Sequence, residues 1–151
     1  VRATHKSYLS ELVDKVKNCA RAAALSTGAT LEIRNYETSY DNMVHNEPLS
    51  ETFVKHLMSL GIDDIKTQKD GYGSLDAGNV SQVVPTIHPY FDICGKPTTG
   101  HSTAFAEATR TDYAHDNMCI ALSALVLTAA EVIENDDLLT SIKKAFEQAE
   151  K

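Results

Sequence analysis

Apolar positions along this 151-residue chain recur mostly at helical spacing, with two short stretches that alternate instead. Tyr8, Leu9, Leu12, Val13, Val16, Ala20, Ala23 and Ala24 mark one face of a helix, while Glu11, Asp14, Lys15 and Lys17 fall mostly opposite. Ser7 is the expected N-cap and Gly28 the expected left-handed C-terminal residue, so the pattern predicts an amphipathic helix of about five turns. From Thr30 to Tyr36 the period drops to two, with Leu31 and Ile33 on one side and Glu32 and Arg34 on the other. That alternation predicts a half-exposed strand. With Val1–Ala3 as the end of an earlier strand, the unit reads as half of a split βαβ sandwich.

The pattern breaks between Tyr40 and Asn46, where a boundary near residue 44 is expected. Asn46-Glu47-Pro48 then opens a second helix with Leu49, Phe53, Val54, Leu57 and Leu60 on its apolar stripe and Gly61 at its end. Asp70–Asn79 is read as a loop. Pro85 and Pro89 forbid one continuous central strand over Val80–Ile93, so a helical turn, a bend and a strand over 88–93 are expected. Cys94–Gly100 is a second loop. A long helical region begins at Ser102, broken near Arg110-Thr111 and running to about Glu134. Its second half is apolar almost all round, which predicts burial. Asn135-Asp136-Asp137 starts a last helix ending near Ala149. The fold class expected is α/β, with residues 1–44 packing apart from 45–151 as part of a small α+β unit.

Composition removes several function classes. A net charge of −7, with Lys143-Lys144 the longest basic run, offers nothing to a phosphate backbone, so no nucleic-acid partner is expected. Met118–Ala130 is shorter than the roughly 18 residues that span a bilayer, so no membrane is expected either. Cys19, Cys94 and Cys119 are odd in number and lack metal-binding spacing. Reduced thiols in a cytoplasmic protein are the simplest reading. Val1 is not preceded by Met and no apolar signal region comes after it, which fits an internal cut point.

Six histidines raise the question of a metal, but neither His-Glu-x-x-His nor His-x-His occurs. His101 has the most suggestive position, after a Gly-containing loop and directly before a helix. The plain alternative is that His101 and Ser102 only cap that helix. His88 reads as a core histidine and His115 as a packing or solvated one. Gly71–Asp76 loosely resembles a phosphate cradle but lacks the Lys and the third Gly, and Asp70 and Asp76 would repel an anion. Asn79-Val80-Ser81 matches a glycosylation sequon without a secretion signal to support it.

The stretch Gly73-Ser74-Leu75-Asp76-Ala77-Gly78-Asn79-Val80-Ser81-Gln82-Val83-Val84-Pro85-Thr86-Ile87-His88-Pro89-Tyr90-Phe91 resembles a known segment, G-S-T-D-x-G-N-V-S-x-V-V-P. That segment belongs to the di-zinc aminoacylase and carboxypeptidase family, peptidase family M-twenty. The subgroup it is most similar to holds the p-aminobenzoyl-glutamate hydrolases and the basic-residue dipeptidases. Gly100-His101-Ser102 and Phe105-Ala106-Glu107-Ala108 resemble the family's histidine-led motif before its last long helices. Val1-Arg2-Ala3 and Ala22–Gly28 resemble the second half of its lid, or dimerisation, domain.

The resemblance implies the C-terminal portion of a zinc-dependent amidohydrolase or dipeptidase: 1–44 as the second half of the lid, 45–151 as the C-terminal half of the catalytic domain. It implies His101 as one ligand of a two-zinc site, with Asp76, Asn79 and Ser81 lining or bracing the substrate pocket. Leu75 departs from the family's Thr. The family's histidine-x-aspartate and paired-glutamate motifs are absent, so the catalytic base and remaining ligands would come from an N-terminal half of the same protein. The expected partners are a dipeptide or N-acyl amino acid substrate, that N-terminal half, and a second copy of the chain. The alternative is a non-catalytic dimerisation or binding module that kept the scaffold.

Overall fold

The computed structural model describes residues 1–66 and 73–149. Part of the Asp70–Asn79 loop, including Gly71 and Tyr72 of the cradle-like stretch, lies outside them. Six helices occur in order: α1 (Lys6–Thr27), α2 (Glu47–Ser59), α3 (Ala77–Ser81), α4 (Thr103–Ala108), α5 (Asp112–Glu134) and α6 (Asp136–Gln148).

Each long helix begins and ends where local chemistry directs. Asn46, Thr111 and Asn135 accept the N–H of Leu49, Ala114 and Leu138 at the starts of α2, α5 and α6. At the other end of α1, Gly28 takes φ 69° and the Ala29 N–H closes on the Ala24 carbonyl, the wide bond of a Schellman turn. The start of α1 differs from the expectation of a Ser7 cap. Lys6 begins the helix, and its N–H is satisfied from outside by Asn42 Oδ1 at 3.0 Å. A tertiary donor–acceptor pair thus replaces a local cap.

The core forms where α2, α5 and α6 meet. α5 presents Ala114, Ala121, Ala124 and Thr128 on one stripe, small enough for α2 to approach closely, and Phe53 and Ile142 fill the junction. Asn46 ties this junction together, being 1% exposed. Its Oδ1 caps α2, and its Nδ2 donates to the Ile142 carbonyl at 3.0 Å. Asn46→Ala is expected to destabilise by about 2–3 kcal/mol, the lost cap adding to a buried carbonyl left without its donor. Urea unfolding measures this, and Asn46→Asp, which keeps the cap and lacks the donor, should fall between the two.

A carboxylate staples α2 to α5. Lys55 Nζ reaches both oxygens of Glu131 at 2.7 Å, and His56 Nε2 sits 2.8 Å from Oε2. The Lys55 hydrogen bond, helped by His56, holds Glu131 below the usual glutamate range. A carboxyl depressed on folding contributes its stability above its unfolded pKa and loses it as pH falls through the folded value. Thermal midpoints should therefore fall more steeply with acid in the parent than in Glu131→Gln, the two curves converging at low pH. Parallel curves would mean the staple carries no stability.

The apolar second half of α5, expected to be buried all round, is buried only along its small-residue stripe. Leu122, Val126 and Ile133 are 57%, 60% and 80% exposed, because no described element packs against that side. By length and composition α5 is apolar enough to cross a membrane; here it packs on α2 and α6. The segments expected to be strands, 30–36 and 88–93, run without ladder partners, and no strand occurs among the described residues. The helices of the α/β expectation are in place, and its sheet has no counterpart there. α1 buries no residue and is fastened to the 39–44 segment through Lys6, by its N–H to Asn42 and by an ion pair to Asp41 at 2.6 Å.

Candidate functional site

The 73–81 motif builds α3, and α3 serves as a brace. Asn79 Oδ1 accepts the Asp41 N–H at 3.1 Å, and its Nδ2 donates to the Ser39 carbonyl at 3.0 Å. Ser81, fully buried, accepts the Val44 N–H at 2.9 Å and donates to the Gly78 carbonyl at 2.6 Å. Gln82 Nε2 adds a bond to the Asn42 carbonyl at 2.9 Å. Asn79, Ser81 and the adjoining Gln82 thus pair the backbone of 39–44, which has no strand beside it among the described residues. Gly78 is buried where α3 meets the Asp41 carbonyl, a contact that leaves no room for a Cβ. The sequon asparagine is Asn79 itself, and its amide is already committed to Ser39.

Asp76 differs from its neighbours. It stands at the N-cap of α3, exposed, and its carboxylate makes no capping bond. The structure therefore gives Asn79 and Ser81 backbone partners and leaves Asp76 facing outward.

His101 sits in a second built loop. Asp92 starts it as an Asx-turn: Oδ1 accepts the Cys94 N–H at 2.8 Å, and Oδ2 lies 3.1 Å from the Gly95 N–H. Tyr113, at the start of α5, donates its hydroxyl to Asp92 Oδ2 at 2.9 Å. The Cys94 N–H is the main reason the Asp92 carboxyl lies below its ordinary range, and the same Asp92 bond raises the Tyr113 phenol above its own. Further along, Ser102 Oγ donates to the Thr99 carbonyl at 2.6 Å and accepts the Phe105 N–H at 3.2 Å, closing a turn and capping α4 together.

Between Gly100 and Ser102, His101 takes φ 55°, the one non-glycine residue with positive φ among those described. A side chain in that region costs about 1–3 kcal/mol and persists where the surroundings over-determine it. Here Ser102 does so from one side. The imidazole is exposed and has no hydrogen-bond or ion-pair partner among the described residues.

No three His, Cys, Asp or Glu side chains come together as a metal-holding group among the described residues. An exposed, unengaged imidazole on a strained turn suits one ligand position, and the described residues do not complete a four-coordinate site around it. Asp76 and His101 make no mutual contact of hydrogen-bond or ion-pair type. Of the other histidines, His88 stacks edge-on against Tyr90 at 5.0 Å, and His115 lies 4.0 Å from Cys119 Sγ.

Sequence reasoning passed over Asp92, Tyr113 and the Glu131 staple. The first carries a signal, an aspartate three residues before a glycine at a turn. The staple joins residues 75 apart and carries none. Beside that staple a shallow depression of about 600 Å³, lined by His56, Glu131 and Asp136 among others, shares no residue with either loop.

No protein-family model matches the chain. Over 148 residues, 96% of its length, it is 38% identical to a human (Homo sapiens) protein named Xaa-Arg dipeptidase. The Mus musculus protein of that name is 36% identical over the same span. The chain is thus similar, over nearly its whole length, to proteins named as dipeptidases. It spans about a third of the length of these relatives, the matched portion being 34% of each. Because the match covers 96% of the chain, it includes most or all of the α3 motif and the His101 loop.

Proposed function

We propose that this chain is the C-terminal portion of a zinc-dependent dipeptidase, with His101 as a metal ligand in a site completed by an N-terminal half of the same protein. The observation that carries this is the similarity to Xaa-Arg dipeptidases over nearly the whole chain, together with the strained, outward presentation of His101. The relatives' name points to dipeptides with a C-terminal arginine as the substrate, and N-acyl amino acids belong to the same amide class. Two zinc ions, when bound, supply a water of lowered pKa and a polarised scissile carbonyl. In this chain His101 would offer one nitrogen ligand, the outward-facing Asp76 would line the pocket that the N-terminal half completes, and Asn79 and Ser81 would position Asp76 by fixing α3. Residues 1–44 form the second half of a lid and 45–151 the C-terminal half of an α/β catalytic domain. Strands of the N-terminal half would then pair with the segments near 30–36 and 88–93, and its packing would cover the outer side of α5.

The reading is tested on the full-length protein and its His101→Ala variant by zinc content and hydrolysis of an Xaa-Arg dipeptide. Loss of both is expected. Parental zinc content with parental activity in the variant would remove His101 from the site. The module reading draws on the exposed apolar side chains of the first unit, Leu25 at 87% and Tyr36 at 89%. It prevails if the full-length protein lacks the histidine-x-aspartate and paired-glutamate motifs.

A further inference from the structure

We propose that Asp92 and Tyr113 form a positioning clamp that sets where the His101 turn is held. This rests on the shared-site reading above. The clamp closes a 22-residue excursion, 92–113, at both ends, and His101 lies near its middle. Three bonds converge on one carboxylate: two backbone N–H groups from the incoming loop and the Tyr113 hydroxyl from α5. The closure is packed as well as hydrogen-bonded. Gly95, at φ 65°, lies under the Tyr113 ring, where an added Cβ would stand 3.4 Å from Cζ. The loop into His101 and the helix out of it are thereby registered to each other independently of the inner Ser102–Thr99 turn.

None of these contacts joins the α2–α5–α6 junction, so the clamp has little to do with holding the core. Its residues are exposed, with Tyr113 at 47%. A three-bond closure at an exposed loop, spanning a strained histidine, fits a device that places the loop carrying the ligand without touching the imidazole itself. Removing a group bonded directly to a metal ligand typically lowers metal affinity by about 10–100-fold, and a clamp that acts through the loop is expected to reach only the low end of that range.

The test uses the full-length, zinc-loaded protein with Asp92→Ala, Asp92→Asn and Tyr113→Phe. Zinc affinity is read by chelator competition, kcat and KM on an Xaa-Arg dipeptide, and the thermal midpoint alongside. Asp92→Ala is expected to weaken zinc by up to about tenfold and to lower kcat more than it raises KM. Asp92→Asn, which keeps an acceptor oxygen for the Cys94 N–H, should recover most of the loss. Tyr113→Phe removes one exposed hydroxyl and keeps the ring on Gly95, so it reports on the clamp even if Asp92→Ala fails to fold. Glu131→Gln, which loosens the helix junction, should lower the midpoint and leave zinc affinity unchanged. Parental zinc affinity and kcat in both Asp92→Ala and Tyr113→Phe, beside a His101→Ala variant that has lost both, would overturn the clamp and leave the shared site standing. If His101→Ala itself keeps both, the shared-site reading fails and takes the clamp with it.

Discussion

In the full-length enzyme of the proposed shared site, His101→Ala is expected to lower kcat/KM by about a thousandfold or more while the thermal midpoint stays within a few degrees. A metal ligand acts on the transition state, and losing about 4 kcal/mol of that stabilisation is a factor of about a thousand. The fold loses little, because the imidazole is exposed and has no partner among the described residues. His101→Gly sharpens the test. Glycine relieves the left-handed strain, worth about 1–2 kcal/mol, and gives back about 0.5–1 kcal/mol through the entropy of the unfolded chain. The glycine variant should thus be as stable as the parent or slightly more so, and as inactive as the alanine variant. A histidine that only helped to cap α4 would give the reverse: a less stable protein with its activity kept. Chemical denaturation and dipeptide hydrolysis on the same three proteins separate the cases.

The signals that could be read from sequence were local ones. Asn46 and Asn135 start their helices through bonds to residues three positions on, and the break near Arg110-Thr111 is real because Thr111 caps α5 in the same way. Position 101 stood out because a glycine-containing loop there meets a helix start, a purely local juxtaposition. Its left-handed backbone was not legible. Gly100, the residue suited to positive φ, precedes it, yet it is His101, inside the turn closed by the Ser102–Thr99 bond, that takes that conformation.

What sequence could not show were pairings at a distance. The alternation of 30–36 marks a strand only if a neighbour supplies a ladder, and no described residue does. The apolar circumference of α5 predicted burial, but burial depends on what stands opposite, and only the stripe facing α2 and α6 is covered. Asn46 looked like a cap and proved also to hold the Ile142 carbonyl, 96 residues away. In the 73–81 motif, the residue types were legible and their partners were not: the backbone paired by Asn79 and Ser81 lies 37–40 residues earlier.

That brace makes Gly78→Ala the substitution expected to damage the fold most. A Cβ there would collide with the carbonyl group of Asp41, and backbone on both sides leaves no rotamer change to relieve it. Overpacking of this kind costs about 1–3 kcal/mol, more where the backbone cannot yield. The escape route is for α3 to move off 39–44, which breaks the Asp41–Asn79 and Val44–Ser81 bonds, each worth about 1 kcal/mol, the second of them buried. A loss of about 3 kcal/mol or more is therefore expected by urea unfolding. Gly73→Ala is the matched control, since an added Cβ there meets no atom of the described residues, and it should stay within about 0.5 kcal/mol of the parent. If the proposed dipeptidase reading holds and Asp76 lines its pocket, the full-length Gly78→Ala protein should also lose dipeptide hydrolysis at temperatures where it remains folded, because Asp76 stands at the start of α3. Full activity with α3 displaced would place Asp76 outside the substrate pocket, whereas a Gly78→Ala protein as stable as Gly73→Ala would mean that α3 does not press on Asp41 at all.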